Sequence, residues 1–376
     1  MLLWQKANPS VVRKTAIAGD FLPSCDLKLP AGRCWHEMAD LLAPHFADVE
    51  MAIANLECPL RTAGLPPKPK LGLGANFAGS VSSLEYLRAL RIGIVGLANN
   101  HVCDYGEIGV ARTIFAVGDR NMTAIGVGRT LSQPPHVALW SGADGIRVGY
   151  WAAAQGLSES ASETPGVEPA TLHRGAKAIE ELARRGARVS VALLHLGLER
   201  TNLPDPDDVA LMRSLCRIGF DVVAASHSHR ISGWERVFRS GRSDAFCFYG
   251  LGSLSSSVLY SPLEHEGLVV VLGLDVAGTI NSLEVRPVLL TAEGWGTAPK
   301  GFEAQMIERR FLQVSREITS GAFRNRFYEE VSRGFFRRQL KDFKAAVRNG
   351  GLWGAAQKMS RLRKRHIKRI IQAALN

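Results

Sequence analysis

The chain has 376 residues, 46% of them hydrophobic and 22% charged, with a mean hydropathy of zero. This is an ordinary globular composition, long enough for one large α/β domain or for such a domain plus an extension. The longest purely apolar run, around Leu268–Leu272, is too short for a helix that spans a bilayer.

The opening stretch MLLWQKANPSVVRK carries charges after five residues and has no long apolar segment, which argues against a secretory signal. Six cysteines, at 25, 34, 58, 103, 216 and 247, include no Cys-x-x-Cys pair. Neither a zinc ribbon nor a disulfide scaffold is indicated, and a reducing, cytoplasmic location is the default expectation. The net charge of +11 is unevenly placed: residues 301–376 hold 18 basic and 6 acidic residues, so the first 300 are close to neutral. A neutral body thus carries a cationic appendage.

In chain order, strands are predicted at Thr15–Ala18, Val49–Ala54, Ile92–Leu97, Arg147–Ala152, Val189–Leu194, Val222–Ala225, Phe246–Tyr249, Leu268–Leu274 and Leu283–Val288. Amphipathic helices are predicted at Trp35–Phe46, Val81–Leu90, Ile108–Asp119, Leu172–Arg185 and Asp207–Ile218. Strands alternating with helices of this length predict an α/β domain. Ala277-Gly278 is a turn signal that predicts an antiparallel hairpin for the last two strands. The segment Arg61–Gly79, rich in Pro and Gly, reads as a mobile loop near a site. Gly126-Val127-Gly128 lacks the further residues of a phosphate loop and reads as a turn. A linker near residue 295 separates the domain, 11–295, from a basic helical extension, 296–376, with helical patterns at Glu303–Thr319, Phe323–Arg348 and Leu352–Leu375.

Five strand-like runs end in residues able to bind a metal. They deliver Asp20; Asn55 and Glu57; Asn99, Asn100 and His101; His195; and His227 with His229. In open α/β sheets sites form beyond the carboxyl ends of strands, so these endings are expected to converge on one crevice. His227 and His229, two apart, are expected on one side of an extended segment. Each residue alone has an ordinary explanation as a turn, cap or core residue. Five such endings in one chain are hard to explain by packing. Imidazole, carboxylate and Asn carbonyl together suit one or two divalent ions such as Mn, Zn or Fe. Cys58 and Cys103 lie beside these motifs and read as small buried residues. Lys68, Lys70 and Arg200 are candidates to hold an anionic substrate, or are solvated surface charge.

The stretches AIAGD, ANLECPL, GLANNHVCDYGEIGV, VALLHLGLER, GFDVVAASHSHRISGWER and FYGLGSLSS resemble, in order and spacing, the motifs of the bacterial capsule-synthesis CapA family. This is also called the poly-γ-glutamate biosynthesis family, within the calcineurin-like metallophosphatases. The resemblance covers about residues 13–290. It implies an α/β fold, a β-sandwich flanked by helices, with a two-metal site at strand ends. It places Asp20 and His229 on one metal, Asn100, His195 and His227 on the other, and Glu57 as the bridge. It makes His101 the proton donor to a leaving group, with Asp104 either orienting His101 or capping the next helix. The sequence departs from the family pattern at Leu22, which leaves the Asp-x-His pair of the metallophosphatases incomplete and implies a weaker or mononuclear site, and at Leu196, Arg200, Ser226 and Ser253, around the metals rather than on them.

Within Lys358–Leu375 apolar residues fall at helical spacing, and Arg361, Arg363, Lys364, Arg365, Lys368 and Arg369 occupy much of the remaining surface. This reads as a peripheral contact with an anionic membrane; packing on the body or a partner is the alternative, and nucleic acid is the least favoured. The function expected is a metal-dependent hydrolase acting on an anionic polymer or a phosphoester in capsule biosynthesis. The alternatives are a phosphoesterase unrelated to capsule, and a non-catalytic subunit of a membrane synthase complex.

Overall fold

Runs of β-branched and small apolar residues, buried on both faces, build most of the core. The computed structural model describes residues 1–7, 9–24, 27–69, 75–155, 160, 166–259 and 261–331, with scattered positions between 334 and 371. The strands are β1 (Leu2–Gln5), β2 (Arg13–Leu22), β3 (Met51–Leu56), β4 (Ile92–Gly96), β5 (Thr123–Ile125), β6 (Val127–Arg129), β7 (Val137–Ser141), β8 (Arg147–Ala154), β9 (Gly166–Val167), β10 (Val189–His195), β11 (Val222–Ser226), β12 (Trp234–Val237), β13 (Ala245–Phe248), β14 (Ser253–Ser256), β15 (Glu266–Leu274), β16 (Ile280–Leu290) and β17 (Gly296–Thr297). The helices used below are α1 (Trp35–Ala39), α2 (Leu84–Ala89), α3 (Gly106–Gly118), α4 (Leu172–Arg184), α5 (Pro206–Ile218) and α6 (Gly301–Ser320).

Two sheets form the body. One runs β1-β16-β15-β2-β3-β4-β5, with β14 paired to β2 and β17 to β16; the other runs β12-β13-β11-β10-β8-β7. Strands β2 to β5 are mutually parallel, as are β8, β10, β11 and β13. The sheets face each other: a Cβ placed on Gly96 of the first would touch Leu193 and Ala152 of the second at 3.4 and 3.5 Å. Along β10, Val191 and Leu193 belong to this inter-sheet core, whereas Ala192 and Leu194 belong to a second core beneath α4 and α5. The alternation is the ordinary period of a strand. Helices α1 and α2 pack on the first sheet, where Trp35 and Tyr86 both meet the ring of Phe21. The α/β fold, a sandwich flanked by helices, is the one the resemblance implies.

The predicted strands all form, within a few residues. Ala277-Gly278 does turn the hairpin between β15 and β16, with Gly278 at φ 71°. Other expectations need correcting. The helix expected over Trp35–Phe46 ends at Ala39 and continues only as a 3₁₀ turn, Ala43–His45; Pro44 removes an amide and clashes with a continuing helix. Gly126-Val127-Gly128 is not a plain turn, since Val127–Arg129 is a short strand paired with Gly166–Val167. Strand β14, sequence SLSS, escapes a hydrophobicity reading because three of its four residues are serines, although all four are buried. Most of the basic tail, its arginine and lysine cluster included, lies outside the described residues.

Where a linker was expected, Trp295 is buried and β17 pairs with β16; helix α6, which follows, is packed into the body. Ile307 and Phe311 enter the inter-sheet core, and Val314 and Ile318 enter the second core. Ser315 Oγ accepts the amide of Trp234 at 3.0 Å, satisfying a donor of the edge strand β12. The packed unit therefore runs on beyond residue 295 to Phe323 and Phe327, both buried. We expect Phe311→Ala to cost about 3–5 kcal/mol of folding stability. Urea unfolding of the full chain checks this, and a loss below about 1 kcal/mol would mean that α6 is loosely attached.

Candidate metal centre

The parallel strands of both sheets end on the same side of the sandwich, and the candidate residues gather there. Asp20 lies in β2 beside Asn55 of β3. Gly19, the residue before it, packs against the backbone of Gly252, where a Cβ would sit 2.1 Å from a carbonyl oxygen. Only glycine allows that approach, which brings the loop before β14 against Asp20. His195 ends β10 with the parity of Val191 and Leu193, so its ring faces the other sheet.

Asn55 is the hub. Its Nδ2 donates to Asp20 Oδ1 at 2.6 Å and to His195 Nδ1 at 3.2 Å, while its Oδ1 accepts from Asn99 Nδ2 at 3.1 Å. His195 Nε2 in turn donates to Asn100 Oδ1 at 2.7 Å, and Glu57 Oε1 lies 3.4 Å from the same nitrogen. The remaining oxygen of Asp20 accepts the backbone amide of His227 at 2.9 Å. Two sets of converging ligand atoms result: Asp20, Glu57 and His229, and Glu57, His195 and His227, each with its atoms within 4.8 Å of one another. Glu57 belongs to both.

The expectation of an extended His227-Ser228-His229 is wrong. Strand β11 stops at Ser226, and His227 and His229 adopt φ of 106° and 54°. The two rings converge because the backbone is left-handed at both, not because a strand alternates. Such conformations cost on the order of 1–3 kcal/mol each and persist where the surroundings impose them. Arg200 is a third case, at φ 65°, and its amide donates to Ser228 O at 2.8 Å. It lies against the histidine loop.

Electrostatics single out Glu57. Its carboxyl is fully buried and neither oxygen has a hydrogen-bond partner among the described residues; the same holds for Nδ1 of His227. Burial, with the charges of Asp20, Glu199 and Asp104 adding to it, pushes the Glu57 carboxyl well above the usual range. Burial and the neighbouring His195 and His229 hold His227 well below its ordinary value, so it stays neutral. Asp20 differs: burial opposes its charge, but the adjacent imidazoles of His195 and His229 hold its carboxyl well below the usual carboxylate range. If Glu57 ionised beside the neutral His227 imidazole, it would carry a charge that the described residues do not balance. A divalent cation would balance it, and the residues present fit one.

The proton-donor candidate sits beside this group. His101 Nδ1 bonds Asp104 Oδ2 at 2.9 Å, and Phe77 stacks edge-on against the His101 ring at 4.7 Å. Asp104 Oδ2 also accepts the Phe77 amide at 2.8 Å, and its carbonyl accepts the Lys68 amide at 2.7 Å. Asp104 thus bonds His101, and among the described residues no side-chain hydrogen bond caps α3. Of the segment 61–79, Lys68 and Phe77 thus meet Asp104 and His101; Lys70 falls outside the described residues. Asn99 holds the loop by accepting the amides of His101 and Val102 at 3.1 and 2.8 Å. Cys58 is wholly buried and, like Cys103, belongs to neither ligand set.

The sequence marks Asn55 as a metal-capable strand ending but not as the hub between Asp20 and His195, and it carries no chemical signal for Phe77. Ser226 and Ser253, noted only as departures from a pattern, approach His195 and His229 at 3.4 Å.

For metal-free protein we expect Glu57→Gln to raise stability by about 1–3 kcal/mol at neutral pH. The folded chain holds this proton to higher pH than the unfolded chain does, so the wild type loses stability as pH climbs above 4.5. The variant should lack that loss. The same substitution should abolish stabilisation by added Mn or Zn. Thermal melts across pH, with and without metal, check both.

Comparisons with known proteins bear on the family. The family model for the bacterial capsule synthesis protein PGA_cap matches residues 14–257. The chain is 22% identical over 288 residues to the capsule biosynthesis protein CapA of Bacillus anthracis, covering 75% of this chain and 67% of that protein. It is 26% identical over 174 residues to the PGA biosynthesis protein CapA of Bacillus subtilis (strain 168), covering 46% and 44%. It thus spans about two thirds of the first relative and under half of the second. Among solved structures, a 5'-nucleotidase precursor from Thermus thermophilus aligns with a TM-score of 0.48 and 16% identity, over 82% of this chain and 59% of that one. The Thermus thermophilus sulfate thiohydrolase SoxB aligns with a TM-score of 0.43 and 13% identity, over 83% and 62%. The family model covers well over half of the sequence, and its matched span includes each residue of the two converging ligand sets: the chain belongs to the bacterial capsule synthesis protein PGA_cap family.

Proposed function

We propose that this chain is a metal-dependent hydrolase that acts on poly-γ-glutamate or another anionic polymer in capsule synthesis, cleaving a phosphoester or an amide. The observation that carries this reading is the pair of ligand sets sharing Glu57, whose oxygens are buried without partners among the described residues. Asp20, Glu57 and His229 would hold one divalent ion, and Glu57, His195, His227 and Asn100 a second. When bound, such ions neutralise developing charge and activate water. Asn55 fixes the rotamers of Asp20 and His195, so two ligands are set before binding. His101, with Nδ1 held by Asp104, would protonate a leaving group through Nε2. The ring edge of Phe77 keeps that imidazole in place.

Elemental analysis of protein purified without added metal is the direct test. One or two transition-metal ions per chain, lost in His195→Ala/His227→Ala, is the expected result; no metal even after reconstitution with Mn or Zn would overturn the reading. A His101→Ala variant should keep its metal and lose about 10²–10⁴-fold in hydrolysis of chromogenic phosphoesters or γ-glutamyl amides. Full restoration of capsule by that variant in cells would instead assign a non-catalytic role.

The basic segment after residue 350 suits contact with an anionic membrane surface, a reading that rests on the sequence pattern. Among the described residues no helix is long and apolar enough to cross a membrane. Flotation with anionic liposomes should fall sharply when residues 350–376 are deleted, and unchanged binding would remove this part of the proposal.

A further inference from the structure

Away from the metal centre, the sulfurs of Cys216 on α5 and Cys247 on β13 meet at 3.2 Å. Both residues are fully buried, packed with Met212 and Leu215. A charged clamp holds the two elements together. Arg213, one turn before Cys216 and so on the same face of α5, donates through Nε and Nη2 to Glu235 of β12 at 2.5 and 2.8 Å. Tyr249, two residues after Cys247 and so on the same face, donates its hydroxyl to that carboxylate. Bidentate, charge-assisted bonds of this kind hold a helix against a sheet in one register. The sulfurs are therefore set by rigid elements rather than by mobile loops. A disulfide needs them about 1 Å closer, within reach of a small rotation about each Cα–Cβ bond.

We propose that Cys216 and Cys247 form a reversible disulfide when the protein meets a small peroxide. One sulfur, as thiolate, attacks an oxygen of hydrogen peroxide; the O–O bond breaks, water leaves and a sulfenic acid remains. The second sulfur then attacks the first, the S–O bond breaks, and a second water leaves with the remaining thiol proton. Two thiols are oxidised by two electrons and one peroxide is reduced to two waters. Burial and the adjacent Cys216 keep the Cys247 thiol protonated, so the reaction is slow in the folded chain and needs a small, neutral oxidant. The cysteines are 31 residues apart, and the chain between them contains β11 and both His227 and His229. The link would close a loop around two of the three candidate metal-binding histidines and restrict the unfolded chain.

The test uses the full chain, treated with hydrogen peroxide, denatured, alkylated with iodoacetamide and mapped by mass spectrometry. The expected product is one peptide pair joined through Cys216 and Cys247, lighter by two hydrogens, released by dithiothreitol, with a thermal midpoint raised by several degrees. Cys216→Ala and Cys247→Ala should show neither the linked pair nor the rise. Recovery of both cysteines alkylated, their separate conversion to sulfinic acids, or their linkage to other cysteines would overturn the proposal. The map of the wild type alone decides this if either variant fails to fold.

Discussion

The site is organised around one constraint: a carboxylate buried where two sheets meet, with no hydrogen-bond partner among the described residues. Glu57 follows directly on a central strand, in a position closed to water. A lone carboxylate there is unfavourable, first because it is buried and then because the nearby carboxylates repel its charge, while His227 is held neutral beside it. Folding concentrates this cost at one point. The same cost would make the point receptive to a cation, because an ion near Glu57 would lie within reach of His195, His227 and His229.

What surrounds Glu57 serves to hold that arrangement. Asn55 ties Asp20 to His195 across the gap between the sheets, which links the ligand geometry to sheet packing. Gly19 and Gly252 let two backbones touch beside Asp20. The left-handed turns at His227 and His229 draw two rings towards the shared carboxylate. On the other flank, Asp104 and Phe77 fix His101 from two directions, and Asp104 does so while tied to the segment that carries Lys68. The site is thus built on rigid strand ends with a fixed outer ring, which favours precise placement over adaptability.

Helix α6 shows how far the body extends. Its apolar stripe reaches both cores, and Ser315 caps an amide on the exposed edge of β12, closing the side of the sandwich. Composition changes near residue 295, but packing does not stop there. The charge asymmetry is real, yet the first helix of the basic region belongs to the fold.

Much of the site is legible in the sequence, because strand ends advertise themselves: an apolar run followed by Asp, Asn, Glu or His is a local pattern, and parallel strands must bring such endings to one side. The ligand types, the family resemblance and the pairing of His101 with Asp104 three residues on are all of that local kind. Tertiary structure decided the rest. The hub role of Asn55 depends on contacts 35 and 140 residues away, and Phe77 meets His101 through a loop with no periodicity. The orientation of His227 and His229 rests on positive φ values that only surrounding packing can impose on histidine. Strand β14, a run of serines, and the partnership of Cys216 with Cys247 were invisible for one reason: hydrophobic pattern records which residues are buried, but not which buried residues meet.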